Sequence, residues 1–379
     1  MTEEKKEDKF EATFRTLKSL ERQKARIKCI GVGGGGGNAI NHMMEAGIPN
    51  VDFIAVNTDA QDLRRNKAPY LLQVGNSILG GLGVGGDPEL ARKAAEESLP
   101  ELEDLVSNTD LLFITAGMGG GTGTGVAPVL AKIAKEKYKD NMLVIGVVTR
   151  PFLFEGYAKQ KKAQDGIDEL QKYADCTLII PNQRIFEIID EKTQNEDAYR
   201  KVDDVLFQAV KGISEVIIRP GEMNIDYNDL KRIMLHSGCA LVGIGEASGK
   251  DRHLVALKQA LTSPLLENTN IMGAKGLLVS FSYSSKSTFK EQGEVMNIVM
   301  QYTSSNALIK YGVTRDENLP ADTLKVVIIA ANFPKNMQQE VTALKQPNTT
   351  TPIEEALWGV KVDLIKNLPA IKRHKMEVK

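Results

Sequence analysis

The sequence predicts an α/β protein in which a doubly wound parallel sheet is followed by a long central helix and a smaller α+β C-terminal domain. Between Ile27 and Asn182, compact runs rich in Val, Ile and Leu (IKCIGV, VDFIAV, LLFITA, MLVIGVV and TLIIP) alternate with segments of helical periodicity. That is the pattern of strands buried on both faces and joined by right-handed crossovers. Two of the runs end in glycine-rich turns, GVGGGGGN at 31–38 and GGGTGTG at 119–125, each opening a helical segment. Further on, Val202, Val205, Leu206, Ala209, Val210, Ile213, Val216 and Ile217 fall on one stripe, which predicts a single helix over 196–218.

Taken in order, residues 1–26 are a charge-rich extension in which Phe10, Phe14, Leu17 and Leu20 recur at helical spacing. A short docking helix and a frayed end both fit it. Residues 27–195 make the first domain, whose opening crossover helix runs from Asn38 to Ala46 and stops at Gly47. The central helix, within 196–219, ends at the stop signal Arg219-Pro220-Gly221. Residues 220–335 hold a second set of strands (CALVGIG, GLLVSFSY, ALIKYGVT, LKVVIIAA) and a helix from Phe289 to Tyr302. A polar linker at 336–352 leads to a basic tail at 353–379.

A chain of 379 residues exceeds the ~250–300 at which single cores stop growing, so two domains with tails are expected. With 48 basic and 49 acidic residues, no global field recruits nucleic acid or an anionic surface. Cys29, Cys176 and Cys239 lie far apart in or beside apolar runs, which suits buried thiols in a reducing cytosol rather than disulfides or metal ligands. The N-terminus MTEEKKEDKF has no apolar signal core, and no apolar stretch approaches the ~18 residues of a membrane span.

The glycine turns are where an anion would bind. Helix N-termini at the carboxyl ends of parallel strands present unpaired N–H groups and a positive dipole end. Glycine lets the backbone come close, and Thr122 and Thr124 add hydroxyls that can also serve as helix N-caps. The first turn satisfies the G-x-G-x-x-G dinucleotide fingerprint, with Asp52 or Asp59 available for a ribose, and by itself does not separate a nicotinamide cofactor from GTP. A second glycine turn after a separate strand would grip a longer phosphate chain, which favours a triphosphate. No G-x-x-x-x-G-K-[ST] occurs, so the lysine-based P-loop mechanism is excluded.

The motifs ITAGMGGGTGTGVAPV, GVGGGGGNAIN, AVNTDAQDL, TRPFLFEG, MNIDYNDL, GEASG and SPLLE, spread from about Ile27 to about Phe333, resemble those of the tubulin superfamily, in wording closest to the FtsZ proteins of bacterial cell division. The resemblance implies a GTPase domain that binds GTP/GDP with Mg2+, and a chain that polymerises head to tail into a cytokinetic ring, cytoplasmic at the division site. It also implies site residues. Gly34, Gly35, Gly36, Gly37 and Asn38, with Gly120, Gly121, Thr122 and Gly123, would cradle the phosphates, and Gly85, Gly86 and Asp87 would cover the terminal one. Glu155 would contact the ribose, Asn182 and Asp204 would read guanine, and Tyr199 would stack on the base. Read without the family, Asp204 is as well explained by a solvated helix face and Asn182 by a turn. Lys159 stands where these proteins usually carry an arginine, keeping the charge without the bidentate fork. Asp59 is a candidate to hold a water of the Mg2+.

Asn224-Ile225-Asp226-Tyr227-Asn228-Asp229 opens a further helical segment, where Asp226 and Asp229 make good capping chemistry. By resemblance, the same N-x-D-x-x-D pattern reaches the nucleotide of the next subunit. There Asn224, Asp226 and Asp229 would align the water that attacks the γ-phosphate. An ordinary aspartate, with a pKa near ~3.9, is a poor base at neutral pH, so positioning outweighs proton abstraction. The tail segment VDLIKNLPAIKRHK, with Asn367-Leu368-Pro369-Ala370-Ile371 at its centre and Trp358 upstream, resembles the peptide by which FtsZ proteins meet membrane adaptors. Its basic surplus also suits an anionic lipid surface or simple solubility. Three classes stay open: an assembly-dependent GTPase, a tubulin-like filament for DNA partitioning or cell shape, and a nicotinamide-dependent oxidoreductase resting on the first turn alone.

Overall fold

The computed structural model describes residues 25–190, 192–218, 222–262, 273–284, 286–301 and 303–333. Residues 1–24 of the N-terminal extension, the linker and tail, the stop at 219–221 and the SPLLE motif lie outside the described residues. Strand β1 (Ile27–Val32) runs directly into α1 (Gly33–Ala46), which returns to β2 (Val51–Asn57). The glycines at 33–37 are therefore the first turns of a helix and not the loop that the sequence suggests. Gly47 ends it as expected, with φ 74° and its N–H on the Met43 carbonyl. The next stretch, expected only as a crossover of helical periodicity, holds α2 (Ala60–Arg64), β3 (Tyr70–Gln73), α3 (Asn76–Leu79), α4 (Pro88–Glu97) and α5 (Leu99–Val106). Their shortness hides them, since none is long enough to show a period. Then β4 (Leu111–Gly117) leads to α6 (Thr122–Tyr138), β5 (Leu143–Arg150) to α7 (Tyr157–Gln171), and β6 (Cys176–Pro181) to α8 (Asn182–Ile188). The long helix is α9 (Asn195–Ile218). After it come α10 (Tyr227–Met234), β7 (Gly238–Ser248), α11 (Arg252–Leu261), β8 (Gly276–Tyr283), α12 (Phe289–Gln301), β9 (Leu308–Arg315) and β10 (Thr323–Ala331).

The strands form one sheet in the order β3-β2-β1-β4-β5-β6-β7-β10-β8-β9, parallel from β3 to β7, with β10 antiparallel to both of its neighbours. The first six strands are the doubly wound part that the apolar runs predict. Alternation along β4 explains it: Leu111 and Phe113 face one core with α1 and α9, while Leu112 and Ile114 face the other with α4 to α7. What the sequence does not reveal is continuity. Cys176 pairs with Gly238 and Thr177 with Cys239, so the sheet carries on past the long helix into the C-terminal strands. Those strands and α11 and α12 enclose a third core around Phe281, Val279 and Ile328. All three cysteines are buried and unbridged, and burial pushes each thiol well up from its ordinary range. Among the described residues no helix is long and apolar enough to cross a membrane.

Candidate functional site

The carboxyl ends of β1, β4, β5 and β6 surround a cavity of about 350 Å³. Its walls hold Gly34, Gly35 and Asn38 from α1, Gly117 to Gly123 apart from Gly119, Thr149 and Pro151 after β5, and Glu155, Lys159, Asn182, Tyr199, Val202, Asp203 and Leu206. A second, more open space of about 560 Å³ shares Gly34, Gly121 and Thr122 with it and is walled by Asn57, Asp59, Asp62, Arg65, Gly85 and Gly86. Together they form a trough with the two helix N-termini at its centre, which suits a long polyanion.

The second glycine turn is built by three features. Gly119 has φ 94°, and a Cβ there would stand 2.7 Å from the Lys159 carbonyl oxygen, so both conformation and space exclude other residues. Its N–H donates to Thr124 Oγ1 at 2.9 Å, while the Thr122 and Thr58 hydroxyls meet at 2.6 Å. Helix α6 begins at an N-cap Gly121 with no side-chain cap. The threonines thus do not cap, contrary to expectation, because the helix starts ahead of them and their hydroxyls are used within the fold. The first-turn N–H groups are left for a ligand.

Two of the glycines assigned to the phosphates serve another purpose. Gly36 and Gly37 are absent from the cavity wall: a Cβ on Gly36 would stand 2.4 Å from the Thr115 carbonyl oxygen, and the Gly37 carbonyl accepts from Asn66 Nδ2 at 2.8 Å. Since the segment is helical, Gly34, Gly35 and Asn38 face the trough while Gly36 packs the helix onto β4. This separates two kinds of glycine experimentally. Gly36→Ala is expected to cost about 2–3 kcal/mol from overpacking, lowering the melting temperature without nucleotide. Gly120→Ala meets nothing within 4 Å and is expected to leave melting unchanged while weakening nucleotide binding at least ~10-fold, through a methyl placed where the backbone must approach the anion. Thermal unfolding and a GDP titration of both variants check this, and tight binding by Gly120→Ala would remove the turn from the site.

At the other end of the cavity the helix register corrects one assignment. Asp204 is half-exposed, its carboxylate 2.5 Å from His42 Nε2, whereas Asp203 lines the cavity. Tyr199, Val202, Asp203 and Leu206 share one face at i, i+3, i+4 and i+7, and a fifth step from Tyr199 turns Asp204 away by about 140°. That spacing, read from Tyr199, was the signal that could have selected Asp203. Burial pushes the Asp203 carboxyl up to about 6, with Asp204 adding to the rise and His42 opposing it. Asn182 is buried with its Oδ1 lacking a partner in the fold, an acceptor waiting for a donor. Tyr199, half-exposed, meets Phe152 edge-on at 5.7 Å, and Phe152 stacks on Phe154 at 5.0 Å, giving an aromatic rim. Lys159 pairs with Glu155 inside the wall, so its charge is already engaged. Asp59 caps α2, its Oδ1 accepting from the N–H groups of Gln61 and Asp62.

The acidic turn lies at the opposite end of the same sheet. The Tyr227 hydroxyl donates to the Asp110 carbonyl at 2.6 Å, and Asp110 immediately precedes β4, whose far end carries Gly117 and the glycine turn. Burial pushes the Tyr227 hydroxyl up to about 12, so it remains a donor at neutral pH. Burial raises the Asp110 carboxyl, but hydrogen bonds and charge from Arg26 prevail and hold it below its ordinary value. Seven residues of strand at ~3.3 Å each separate the two ends by roughly 20 Å, and α9 spans a similar distance from Asp203 to Ile218 at ~1.5 Å per residue. Asp226 is the N-cap of α10 and exchanges hydrogen bonds with Asp229 in a capping box, Asp229 N to Asp226 Oδ1 at 2.8 Å and Asp226 N to Asp229 Oδ2 at 3.4 Å. Asn224 is exposed just before them.

The sequence matches the Tubulin/FtsZ family, GTPase domain, over residues 26–190 and the FtsZ family, C-terminal domain, over residues 238–334. It is 37% identical to a solved chain described as an FtsZ dimer, empty, from M. jannaschii, covering 93% of this chain and 99% of that one with a TM-score of 0.78. The chain belongs to the tubulin/FtsZ family. A point mutant of the M. jannaschii FtsZ, with tyrosine in place of a tryptophan, is also similar, at 38% identity over 85% of this chain and 95% of that one, TM-score 0.76. CetZ2 from Haloferax volcanii, described as a GTPγS-bound protofilament, shares the fold at 20% identity over 83% of this chain and 97% of that one, TM-score 0.71. As a member of the tubulin/FtsZ GTPases the protein binds GTP and GDP and hydrolyses GTP, and the nicotinamide reading of the first turn falls away.

Proposed function

We propose that this FtsZ-family GTPase polymerises head to tail and hydrolyses GTP between subunits, one subunit holding the nucleotide and the next supplying Asn224, Asp226 and Asp229, and that the filaments form the cytokinetic ring. One observation carries the reading: the nucleotide trough and the acidic turn sit at opposite ends of β4, too far apart for one chain to use both. A head-to-tail contact joins them, and a contact of that kind that does not close makes a filament. Identity to FtsZ of 37–38%, against 20–22% for the CetZ chains, supports division over other filament roles.

Phosphates would lie on Gly34, Gly35 and the Gly120–Gly123 turn, and the terminal phosphate would extend toward Thr122, Gly85 and Gly86. Magnesium favours water and phosphate oxygens. The chain's contribution would come from Asp59, whose remaining Oδ2 can hold a metal-bound water, and the ion would neutralise phosphate charge. The tail would meet a membrane adaptor. Sedimentation with GTP, GDP and ATP in parallel tests assembly: a pellet with GTP alone is expected, with turnover per chain rising steeply with protein concentration. Equal pellets with ATP, or flat specific activity on dilution, would sink it. In cells, removing residues after about 360 is expected to abolish ring localisation and leave polymerisation intact.

Asp203 and Asn182 are the proposed base readers. A carboxylate accepts from guanine N1–H and the 2-amino group, which adenine does not offer in that arrangement. The pH consequence has a definite sign. In the free protein Asp203 is protonated below about pH 6, and guanine needs the ionised form, so a proton must leave on binding. GDP affinity is expected to fall toward tenfold per pH unit below that point. In Asp203→Asn that component disappears, while titration of the nucleotide phosphates is common to both proteins. Binding isotherms from pH 5 to pH 7.5 check it, and identical slopes for both proteins would remove Asp203 from base recognition.

A further inference from the structure

The segment that carries the acidic turn is fastened to the C-terminal strands at four points. Met223 makes a two-way backbone bridge with Val313 of β9, N to O distances 3.3 and 3.0 Å. The Tyr283 hydroxyl at the end of β8 donates to the Glu222 carboxylate at 2.5 Å. Ile225 lies against Gly312, where an added Cβ would come within 2.9 Å of its side chain. Lys310 Nζ stands 2.8 Å from Asp229 Oδ1. The last contact differs from the rest because it touches the carboxylate proposed to align the attacking water. The capping box holds Oδ2 and Lys310 holds Oδ1, so the group is fixed at both oxygens.

We propose that Lys310 is a positioning residue for hydrolysis: from β9 it orients the Asp229 carboxylate and offsets part of the turn's negative charge as it meets the triphosphate of the next subunit. The inference rests on Asp229 acting in trans. An acidic pair approaching a polyanion is repelled, and more strongly where the contact excludes water. Lys310 places a compact cation there. The surrounding charged and titratable groups are Asp226, Lys231 and Arg232 on the turn and its helix, and Glu222 with Tyr283 from the flanking segment and β8. None of these is in ion-pair contact with Asp229 among the described residues, whereas Lys310 is. A misplacement of about 1 Å at such a group costs on the order of 10²-fold in rate.

The test uses the full-length chain with Lys310→Met, which keeps the stem, and Lys310→Arg, which keeps the charge. Polymer mass and GTP turnover over a range of GTP concentrations are measured for both. For Lys310→Met, kcat is expected to fall at least ~10-fold per polymerised subunit. KM for GTP should stay within about twofold, because the other subunit holds the nucleotide. Lys310→Arg should recover most of the rate. Wild-type kcat in Lys310→Met would overturn the proposal, as would a loss that merely tracks lost polymer or no rescue by arginine. Asp229→Asn in the same assay separates the failures. If it stays active, the trans-acting turn is wrong, and if it is inactive while Lys310→Met is normal, only the role of Lys310 is wrong.

Discussion

Replacing Asp229 by asparagine is expected to lower GTP turnover by ~10²-fold or more while leaving GTP binding within about twofold of wild type. The structure gives reasons for both halves. Asp229 is remote from every residue lining the nucleotide trough, so nothing that grips GTP in its own chain changes. The amide oxygen can still accept from the Asp226 N–H, so the capping box that starts α10 survives. Only the charge that polarises and aligns water is lost, along with the ion pair to Lys310. An exposed or half-exposed pair of that kind contributes at most about 1 kcal/mol to stability, too little to unfold a chain of this size. Phosphate release under polymerising conditions, beside a GTP titration, makes the comparison. Turnover above half of wild type would show that the carboxylate is dispensable.

Much of this arrangement is legible in the residues. The buried strands announce themselves as β-branched runs, because a parallel strand covered on both faces can hold little else, and the stripe from Val202 to Ile217 gives α9 almost to the residue. The glycine turns are legible for a similar reason: few other purposes require so many residues without side chains after a strand. Three features are not. The division of labour within GGGGG depends on which face of α1 each glycine takes, and identical residues carry no periodicity. Gly36 against Thr115 therefore becomes visible only once the helix is seen to begin at Gly33. The choice between Asp203 and Asp204 was available from helical spacing, but two adjacent acids look interchangeable until Tyr199 fixes the face. Lys310 on Asp229 is a contact between positions 81 apart in sequence, made by a strand edge whose neighbour is set by the whole sheet order. Local pattern has no access to that.

Mixing two inactive variants is expected to restore activity. Gly120→Val carries an intact acidic turn beside a blocked nucleotide turn, and Asp229→Asn carries the reverse. If one subunit supplies GTP and its neighbour the carboxylates, an Asp229→Asn subunit loaded with GTP finds a working partner in Gly120→Val. Random assembly of equal amounts pairs an intact trough with an intact turn at one contact in four, so the mixture should reach roughly a quarter of wild-type turnover. Each variant alone should remain near background. The measurement is GTP hydrolysis by the 1:1 mixture at a fixed total protein concentration, beside each variant alone. Recovery well above the sum of the two is the result expected of a site split between subunits; a mixture no more active than that sum would contradict it.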